Sequence, residues 1–282
     1  MSAFQNVIVG IDLNEETAGR LLERACQLAE PAHIEVIHAC DHLHHQHQDY
    51  VHCAFESSEE LDAAVIREAD QFLNSVCEPM GIQQRKVLDG RTATVLHDYA
   101  TNHADLVVIG SHGRHGLEAF FGSTSNEVVH GTPCDVLAVH LPPDDAGEME
   151  AGGRYMRVLA AVDLSVEASQ VMDHARRVAD ACGAELKLCH VSKHLQESGR
   201  KDDWKRLLEF AAGYGLAATD IHELAGRTAH AIHNLAEELH ADLVVVGTHG
   251  KHGANLITGS TANAVLHGAN CDELSVRIRP AA

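Results

Sequence analysis

The sequence predicts an α/β protein of two similar domains, each a five-stranded parallel sheet with flanking helices. The chain has 282 residues, which is long enough for two ordinary domains. Short apolar runs rich in Val, Ile and Leu alternate with longer amphipathic stretches, as expected for parallel strands joined by crossover helices. The same series of segments occurs twice in the same order, which indicates a tandem duplication.

The elements of the first half follow one another along the chain. VIVGID (7–12) is an apolar run that predicts a buried strand, and ETAGRLLERACQLAE has apolar residues at helical spacing. IEVIHAC predicts a second strand, and SSEELDAAVIREADQFLNSVCE predicts an amphipathic helix that starts at Ser57 or Ser58. RKVLDG, TATVLHDYATNH and DLVVIG predict a strand, a helix and a strand. A glycine-rich loop, the helix STSNEVVHG and the strand DVLAV complete the half.

The second half repeats these segments after a linker. NVIVGIDL corresponds to RVLAAVDL, IEVIHA to LKLCHV, and DLVVIGSHG to DLVVVGTHG. The stretch LPPDDAGEMEAGGR between the halves is rich in Pro, Gly and acidic residues, a composition typical of linkers. We therefore place the first domain at residues 1–142, the linker at 143–153 and the second domain at 154–282.

Composition limits the classes of function. Acidic residues outnumber basic ones 41 to 21, and the formal net charge of −20 argues against broad contact with nucleic acid or an anionic membrane. No apolar stretch approaches the roughly 18 residues of a membrane span, and the N-terminal segment lacks the pattern of a signal peptide. The eight cysteines contain no CxxC pair. Reduced, buried thiols in a cytoplasmic protein are the interpretation we prefer.

The ends of particular strands predict a ligand crevice in each half. Ligands of open parallel sheets bind beyond the carboxyl ends of the strands, where the strand order reverses. With the order 3-2-1-4-5, that point lies between strands one and four. Asp12 ends the first strand and Gly110 ends the fourth; Asp163 and Gly247 hold the corresponding positions in the second half. Each pair is predicted to face one crevice.

The glycine-rich loops GSHGRHGLEAFFGST (110–124) and GTHGKHGANLITGST (247–261) have the chemistry of a phosphate site. Glycines let a ligand approach the backbone, and the N–H groups of such a loop and of the following helix attract anions without basic side chains. The alternative is a tight strand-to-helix turn capped by serine. The spacing does not fit a P-loop, a GxGxxG fingerprint or a GxSxG nucleophile elbow.

At this level of detail the chain resembles a tandem universal stress protein, with two universal stress protein domains in one polypeptide. The resemblance covers nearly the whole chain, from NVIVGIDL to CDELSVRIRP. It implies Rossmann-like domains of the adenine nucleotide alpha hydrolase-like kind, in a family of which many members bind ATP and others do not. It also implies that the two last strands, DVLAV and ELSVRI, pair with each other, which would make the halves an intramolecular pseudo-dimer.

The resemblance assigns binding roles residue by residue. Asp12 and Asp163 match the acidic residue near the nucleoside and Mg²⁺, and Ala39 and Val191 match the position whose backbone contacts adenine. The residues that match the phosphate-binding pattern are Gly110, Gly113, Gly122, Ser123, Thr124, Gly247, Gly250, Gly259, Ser260 and Thr261. In each half the spacing between the second and third of these glycines is one residue shorter than the family pattern.

The chain also contains 23 histidines, which are densest in DHLHHQHQDYVHC (41–53). His42 and His45, or His44 and His47, would share a helix face and could hold a metal such as zinc. The alternative is a polar loop after the second strand.

These observations give one leading functional hypothesis and two alternatives. The leading one is a stress-response, signalling module that binds ATP or a related adenine nucleotide in one or both halves and acts on a protein partner not identified by the sequence. No set of nucleophile, base and orienting residue is evident, so the protein is at most a slow ATPase. The alternatives are a scaffold without nucleotide and a histidine-rich, metal-handling protein. Whether two chains associate as a homodimer is left open.

Overall fold

The computed structural model describes residues 2–40, 58–111, 122–141, 153–192, 197–248, 264–266, 268 and 270–279. Within these ranges the strands are β1 (Val7–Gly10), β2 (Ile34–Cys40), β3 (Gln84–Asp89), β4 (Leu106–Gly110), β5 (Asp135–Val139), β6 (Arg157–Val162), β7 (Glu185–Ser192), β8 (Ile221–Ala225), β9 (Leu243–Thr248) and β10 (Asp272–Arg277). The α-helices are α1 (Glu15–Leu28), α2 (Ser58–Cys77), α3 (Thr92–His103), α4 (Ser123–Gly131), α5 (Ala168–Cys182), α6 (Glu197–Ala212) and α7 (Thr228–Glu238).

Each half has the predicted sheet. The strand order is β3-β2-β1-β4-β5 in the first half and β8-β7-β6-β9-β10 in the second, which is 3-2-1-4-5 in both, and the strands within each half are parallel. The predicted α/β fold class is thus confirmed. The strand order reverses between β1 and β4, and between β6 and β9, so the carboxyl ends of these strands adjoin each other.

The two sheets join through their last strands. β5 and β10 pair antiparallel, with Leu137 opposite Leu274, so that all ten strands form one continuous sheet. The strands that the sequence identifies as edges therefore lie side by side at the centre. Only β3 and β8 remain as outer strands of this sheet.

The apolar core is continuous across the join on one face of the sheet. Side chains of α1 and α5 pack there with residues of both halves, including Leu22, Met172, Leu137 and Leu274, all of them buried. On the other face each half has its own cluster, one around Leu96 and Val107 and one around Ile232 and Val244. The halves are therefore separate in topology but share one hydrophobic layer.

The helix and strand bounds follow local sequence signals closely. β2, α3, α4 and β5 coincide with the predicted segments, whereas β1 ends at Gly10, two residues before the predicted Asp12. The chain turns earlier because Asn14 already caps α1, accepting a hydrogen bond of 3.0 Å from the Thr17 amide. Asp12 therefore lies in the turn between β1 and α1 and not within the strand.

Two further observations concern membranes and thiols. No helix in the described part of the chain is long and apolar enough to cross a membrane. The seven cysteines within the described ranges are unpaired, and five of them are buried. Burial is the largest cause that raises the pKa of the Cys134 thiol to about 12. These thiols are therefore protonated at neutral pH and poor nucleophiles.

Candidate functional site

The candidate site of the first half lies at the carboxyl ends of β1 and β4. Val7 pairs with Leu106 in the parallel ladder of these strands, so Asp12 after β1 and Gly110 at the end of β4 emerge at the same edge of the sheet. α4 begins at the same edge, because the Gly122 amide donates a hydrogen bond of 3.0 Å to the carbonyl oxygen of Ser111. The Asp12 carboxylate and the N-terminus of α4 therefore lie at the same edge of the sheet.

Asp12 is exposed and held by the first turn of α1. The Thr17 hydroxyl donates to Asp12 Oδ1 at 2.7 Å, and the Ile11 amide before it donates to the carbonyl oxygen of Ile37 at 3.0 Å. The main chain on one side and a short side chain on the other therefore fix the position of the carboxylate.

A histidine near the end of the second strand supports the same turn in each half. His38 Nδ1 lies 2.9 Å from the carbonyl oxygen of Ile11, and His190 Nδ1 lies 2.8 Å from that of Val162. A carbonyl oxygen only accepts, so Nδ1 carries the hydrogen in both side chains. Both histidines are hydrogen-bonded and at least partly buried. Each fixes the carbonyl directly before the strand-one aspartate.

The N-terminus of α4 is tied to the end of β4. The Ser125 hydroxyl donates to the carbonyl oxygen of Gly110 at 2.7 Å. The Ser111 amide donates to the carbonyl oxygen of Val139 at 2.8 Å, and the Leu141 amide donates to the Ser111 hydroxyl at 3.1 Å. These bonds hold the first turn of the helix beside the strand ends.

The first turn of α4 differs from that of α1 in its electrostatics. α1 has a side-chain cap, Asn14, and two acidic residues, Glu15 and Glu16, in its first turn. α4 begins after Gly122; among the described residues no side chain caps it, and its first turn has no acidic residue. The first N–H groups of a helix have no partner within the helix and carry partial positive charge. The α4 terminus is therefore suited to an anion.

The second half places its strand-one aspartate in a different turn. Asp163 is exposed, and its Oδ1 accepts a hydrogen bond of 3.0 Å from the Ser165 amide. Leu164 has a left-handed backbone with φ of 56°. The Arg206 side chain donates to the carbonyl oxygen of Leu164 at 3.0 Å. Arg206 comes from α6, a helix in which the sequence signals no functional residue.

Gly247 has a packing role that sequence reasoning missed. A Cβ atom at this position would lie 2.9 Å from Val171 Cγ2 and 3.1 Å from Ile278 Cδ1. Such a close approach between β9 and α5 requires glycine whether or not a ligand binds. The sequence could not distinguish this requirement from a ligand-binding one, because both give a glycine at the end of a buried strand.

The match to a family model decides the family. The model of the universal stress protein family matches residues 3–140 and again 154–277. The chain belongs to the universal stress protein family. The two matches make it a tandem member, as the sequence predicts.

Individual relatives agree with this assignment. Universal stress protein A homolog 1 of Coxiella burnetii is 37% identical over 138 residues, which are 43% of this chain and 96% of that protein. The crystal structure of a universal stress protein from Archaeoglobus fulgidus covers 98% of both chains with a TM-score of 0.71 at 21% identity, which shows the same fold. A universal stress protein solved in complex with cAMP is similar to 45% of this chain and all of its own, at 27% identity and a TM-score of 0.37.

Some of the site residues predicted from the sequence lie within the described ranges and others lie outside them. Asp12, Ala39, Gly110 and Gly122 lie at or near the carboxyl-end edge of the first-half sheet, where Ala39 pairs with Leu88 near the end of β2. The other described positions are Ser123 and Thr124 at the start of α4, and Asp163, Val191 and Gly247 in the second half. Outside the described residues lie Gly113, Gly250, Gly259, Ser260, Thr261, His42, His44, His45 and His47.

Within the described ranges, no group of three or more His, Cys, Asp or Glu side chains is arranged to hold a metal ion. The predicted zinc-binding histidines lie outside those ranges.

Proposed function

We propose that this universal stress protein is a stress-response module that binds ATP or a related adenine nucleotide in one or both halves, and that occupancy sets how it engages a protein partner. The observation that carries the proposal is the uncapped, acid-free N-terminus of α4 beside the exposed Asp12. The function is binding and regulation, with ATP hydrolysis at most slow.

The donor groups of the first-half crevice fit a polyphosphate. Backbone N–H groups at the start of α4 would hold phosphate oxygens, and the exposed Thr124 adds a hydroxyl in the same turn. Backbone donors need no basic side chains, which is consistent with an anionic ligand in a chain of net charge −20. Asp12 Oδ2 would bind the Mg²⁺ of the nucleotide or a ribose hydroxyl.

The resemblance to the family supports the same arrangement for the nucleoside. Its adenine-contacting positions are Ala39 and Val191, which lie on the strands next to β1 and β6. A purine beside β2 and phosphates at α4 would span the ends of β1 and β4. This is the switch point at which parallel sheets bind ligands.

Isothermal titration of the full chain with Mg-ATP tests the proposal. We expect a dissociation constant in the micromolar range, equivalent to about −8 kcal/mol. AMP in parallel measures the contribution of the outer phosphates and should bind more weakly. The absence of both heat and thermal shift at millimolar nucleotide would contradict the proposal.

A further inference from the structure

The turn that carries Asp163 is backbone-strained, whereas its counterpart in the first half is not. Leu164 has φ of 56°, and the corresponding Leu13 is not among the described residues with positive φ. The left-handed region is unfavourable for a residue with a branched side chain and persists where neighbouring groups hold it. Such groups must therefore surround Leu164.

Hydrogen bonds to the carbonyl oxygens on both sides of Asp163 hold this turn. His190 Nδ1 donates to the Val162 oxygen at 2.8 Å, and Arg206 Nη2 donates to the Leu164 oxygen at 3.0 Å. The carbonyl groups of the residues before and after Asp163 are thus each held by a side chain from another element, β7 in one case and α6 in the other.

Asp203 of α6 links the two donors. It is 5% exposed, and its Oδ2 accepts a hydrogen bond of 2.7 Å from the Ser192 hydroxyl. The same Oδ2 lies 3.8 Å from His190 Nε2, and Oδ1 lies 3.7 Å from Arg206 Nη1. A buried carboxylate persists when it is paired and hydrogen-bonded, and Asp203 lies close to both side chains that hold the Asp163 turn.

The first half holds the turn of its strand-one aspartate through different side chains. His38 again holds the carbonyl before the aspartate, but the Asp12 carboxylate is held by Thr17 of α1. In the second half the corresponding support comes from α6, through Arg206 on the carbonyl of Leu164. In the first half Thr17 of α1 thus contacts the aspartate side chain itself, and in the second half Arg206 of α6 contacts the carbonyl of the residue after the aspartate.

We infer that Asp203 and Arg206 are positioning residues for Asp163, so that α6 sets the affinity of the second crevice for a Mg-nucleotide. The part of this inference that concerns affinity rests on the proposed function. The part that concerns the turn does not, because it can be measured without a ligand.

The experiment combines hydrogen exchange with calorimetry on the full chain. Arg206→Gln removes the bond to Leu164 and Arg206→Lys retains one donor, while Arg176→Gln is the matched control, since Arg176 donates to the carbonyl oxygen of Tyr214 at 2.7 Å. All are made with and without Thr124→Asp, which places a carboxylate at the α4 terminus and so removes the first-half site. Exchange is followed by mass spectrometry in peptides that cover residues 160–170.

We expect Arg206→Gln to accelerate exchange in these peptides. In the Thr124→Asp background it should also weaken Mg-ATP binding about tenfold, which is the lower end of the losses in affinity found when an outer-shell partner of a metal ligand is removed. Arg206→Lys should recover part of both, and Arg176→Gln should change neither. Unchanged exchange in Arg206→Gln, or equal effects in Arg176→Gln, would overturn the inference. Faster exchange in a protein that binds no nucleotide would support the positioning role and contradict the proposed function.

Discussion

Glu273 is a carboxylic acid buried at the seam of the sheet without a hydrogen-bond partner. It is 2% exposed, lies opposite Ala138 across the β5–β10 ladder, and within the described structure neither of its carboxylate oxygens accepts or donates a hydrogen bond. Burial and, to a smaller extent, the neighbouring Asp272 raise its pKa well above the usual value. The side chain is therefore protonated in the folded protein at a pH where the unfolded chain has released the proton.

We predict that Glu273→Met stabilises the protein at pH 7 by about 1–3 kcal/mol, the usual effect of removing an unsatisfied buried polar group. An unfolded Glu ionises near about pH 4.3, so above that pH the folded state binds more protons and wild-type stability falls as pH rises. Urea unfolding at pH 5, 7 and 9 measures this. The gain from Glu273→Met should grow with pH, and Glu237→Met, at an exposed site on α7, should show no such trend.

A second residue-scale prediction concerns Gly247. Gly247→Ala should destabilise the protein by about 1–3 kcal/mol because the added methyl group overpacks the contact with Val171. Val171→Ala in the same chain should recover part of the loss. Gly19→Ala is the control: nothing lies within 4 Å of its Cβ position in α1, so this substitution should stabilise the helix by about 0.5–1 kcal/mol. Thermal unfolding of the three variants checks the signs; a neutral Gly247→Ala would contradict the packing role.

At the scale of the elements, α4 is the helix in which helix stability and ligand binding favour opposite charges in the first turn. An acid in its first turn would favour the helix dipole but repel a phosphate. One substitution can therefore raise helix stability while it lowers ligand affinity, so that the two quantities are measured separately.

We predict that Thr124→Asp leaves the melting temperature unchanged or slightly higher while it weakens nucleotide binding in the first half at least about tenfold, equivalent to about 1.4 kcal/mol. Calorimetry with Mg-ATP should show one fewer binding event per chain. Gln71→Glu, at an exposed position of α2, adds the same charge away from the crevice and should leave binding intact. An unchanged number of sites in Thr124→Asp would remove the first half from the proposal.

The elements themselves were largely predictable from periodicity, and the contacts between them were not. β2, α3 and β5 are continuous patterns whose ends carry Gly, Pro or a change of period, so their bounds were recovered. The bond from Arg206 to the Leu164 carbonyl joins segments 42 residues apart. Nothing local to either segment encodes it, since an exposed-looking Arg in a polar helix gives no sequence signal. The placement of Asp12 and Gly110 at the same edge of the sheet was predictable because strand order alone brings strand ends together.

At the scale of the whole molecule, one buried aspartate of each half contacts the other half, and the partners of the two aspartates differ. Asp272 accepts from the His140 amide at 2.8 Å and from the Tyr155 hydroxyl at 2.7 Å, and Arg24 Nε lies 2.6 Å from it. Asp135, its counterpart in the other half, accepts from the Arg277 amide at 2.9 Å.

The partner of Asp135 is a histidine. His174 Nε2 lies 3.1 Å from Asp135 Oδ2, while its Nδ1 lies 2.7 Å from the carbonyl oxygen of Gln170 and so carries a hydrogen. The contact between Nε2 and Oδ2 therefore needs one further proton, on the ring or on the acid. Burial is the largest influence on Asp135 and raises its pKa, and His174, Arg177 and Arg279 oppose this.

We predict that His174→Gln destabilises the protein more at pH 6 than at pH 9. Because the pKa of Asp135 is raised, the folded state keeps this proton to a higher pH than an unfolded Asp, which ionises near about pH 3.9. Its contribution to stability is complete below that pH and is lost as pH rises through the titration of Asp135 in the folded protein. Arg24→Gln should destabilise by about 3–5 kcal/mol, as for other broken buried pairs, with little change over the same range. Urea unfolding at both pH values gives the comparison, and equal pH dependence of the two variants would contradict the assignment.

The join between β5 and β10 also has a consequence for synthesis on the ribosome. β5 is translated before any strand of the second half, whereas its antiparallel partner is the last strand of the sheet. While the second half is still being made, the nascent first half presents β5 as an open edge, and open edges recruit strands from other chains. Strands of neighbouring nascent chains on one polysome therefore compete with β10 of the same chain for pairing with β5.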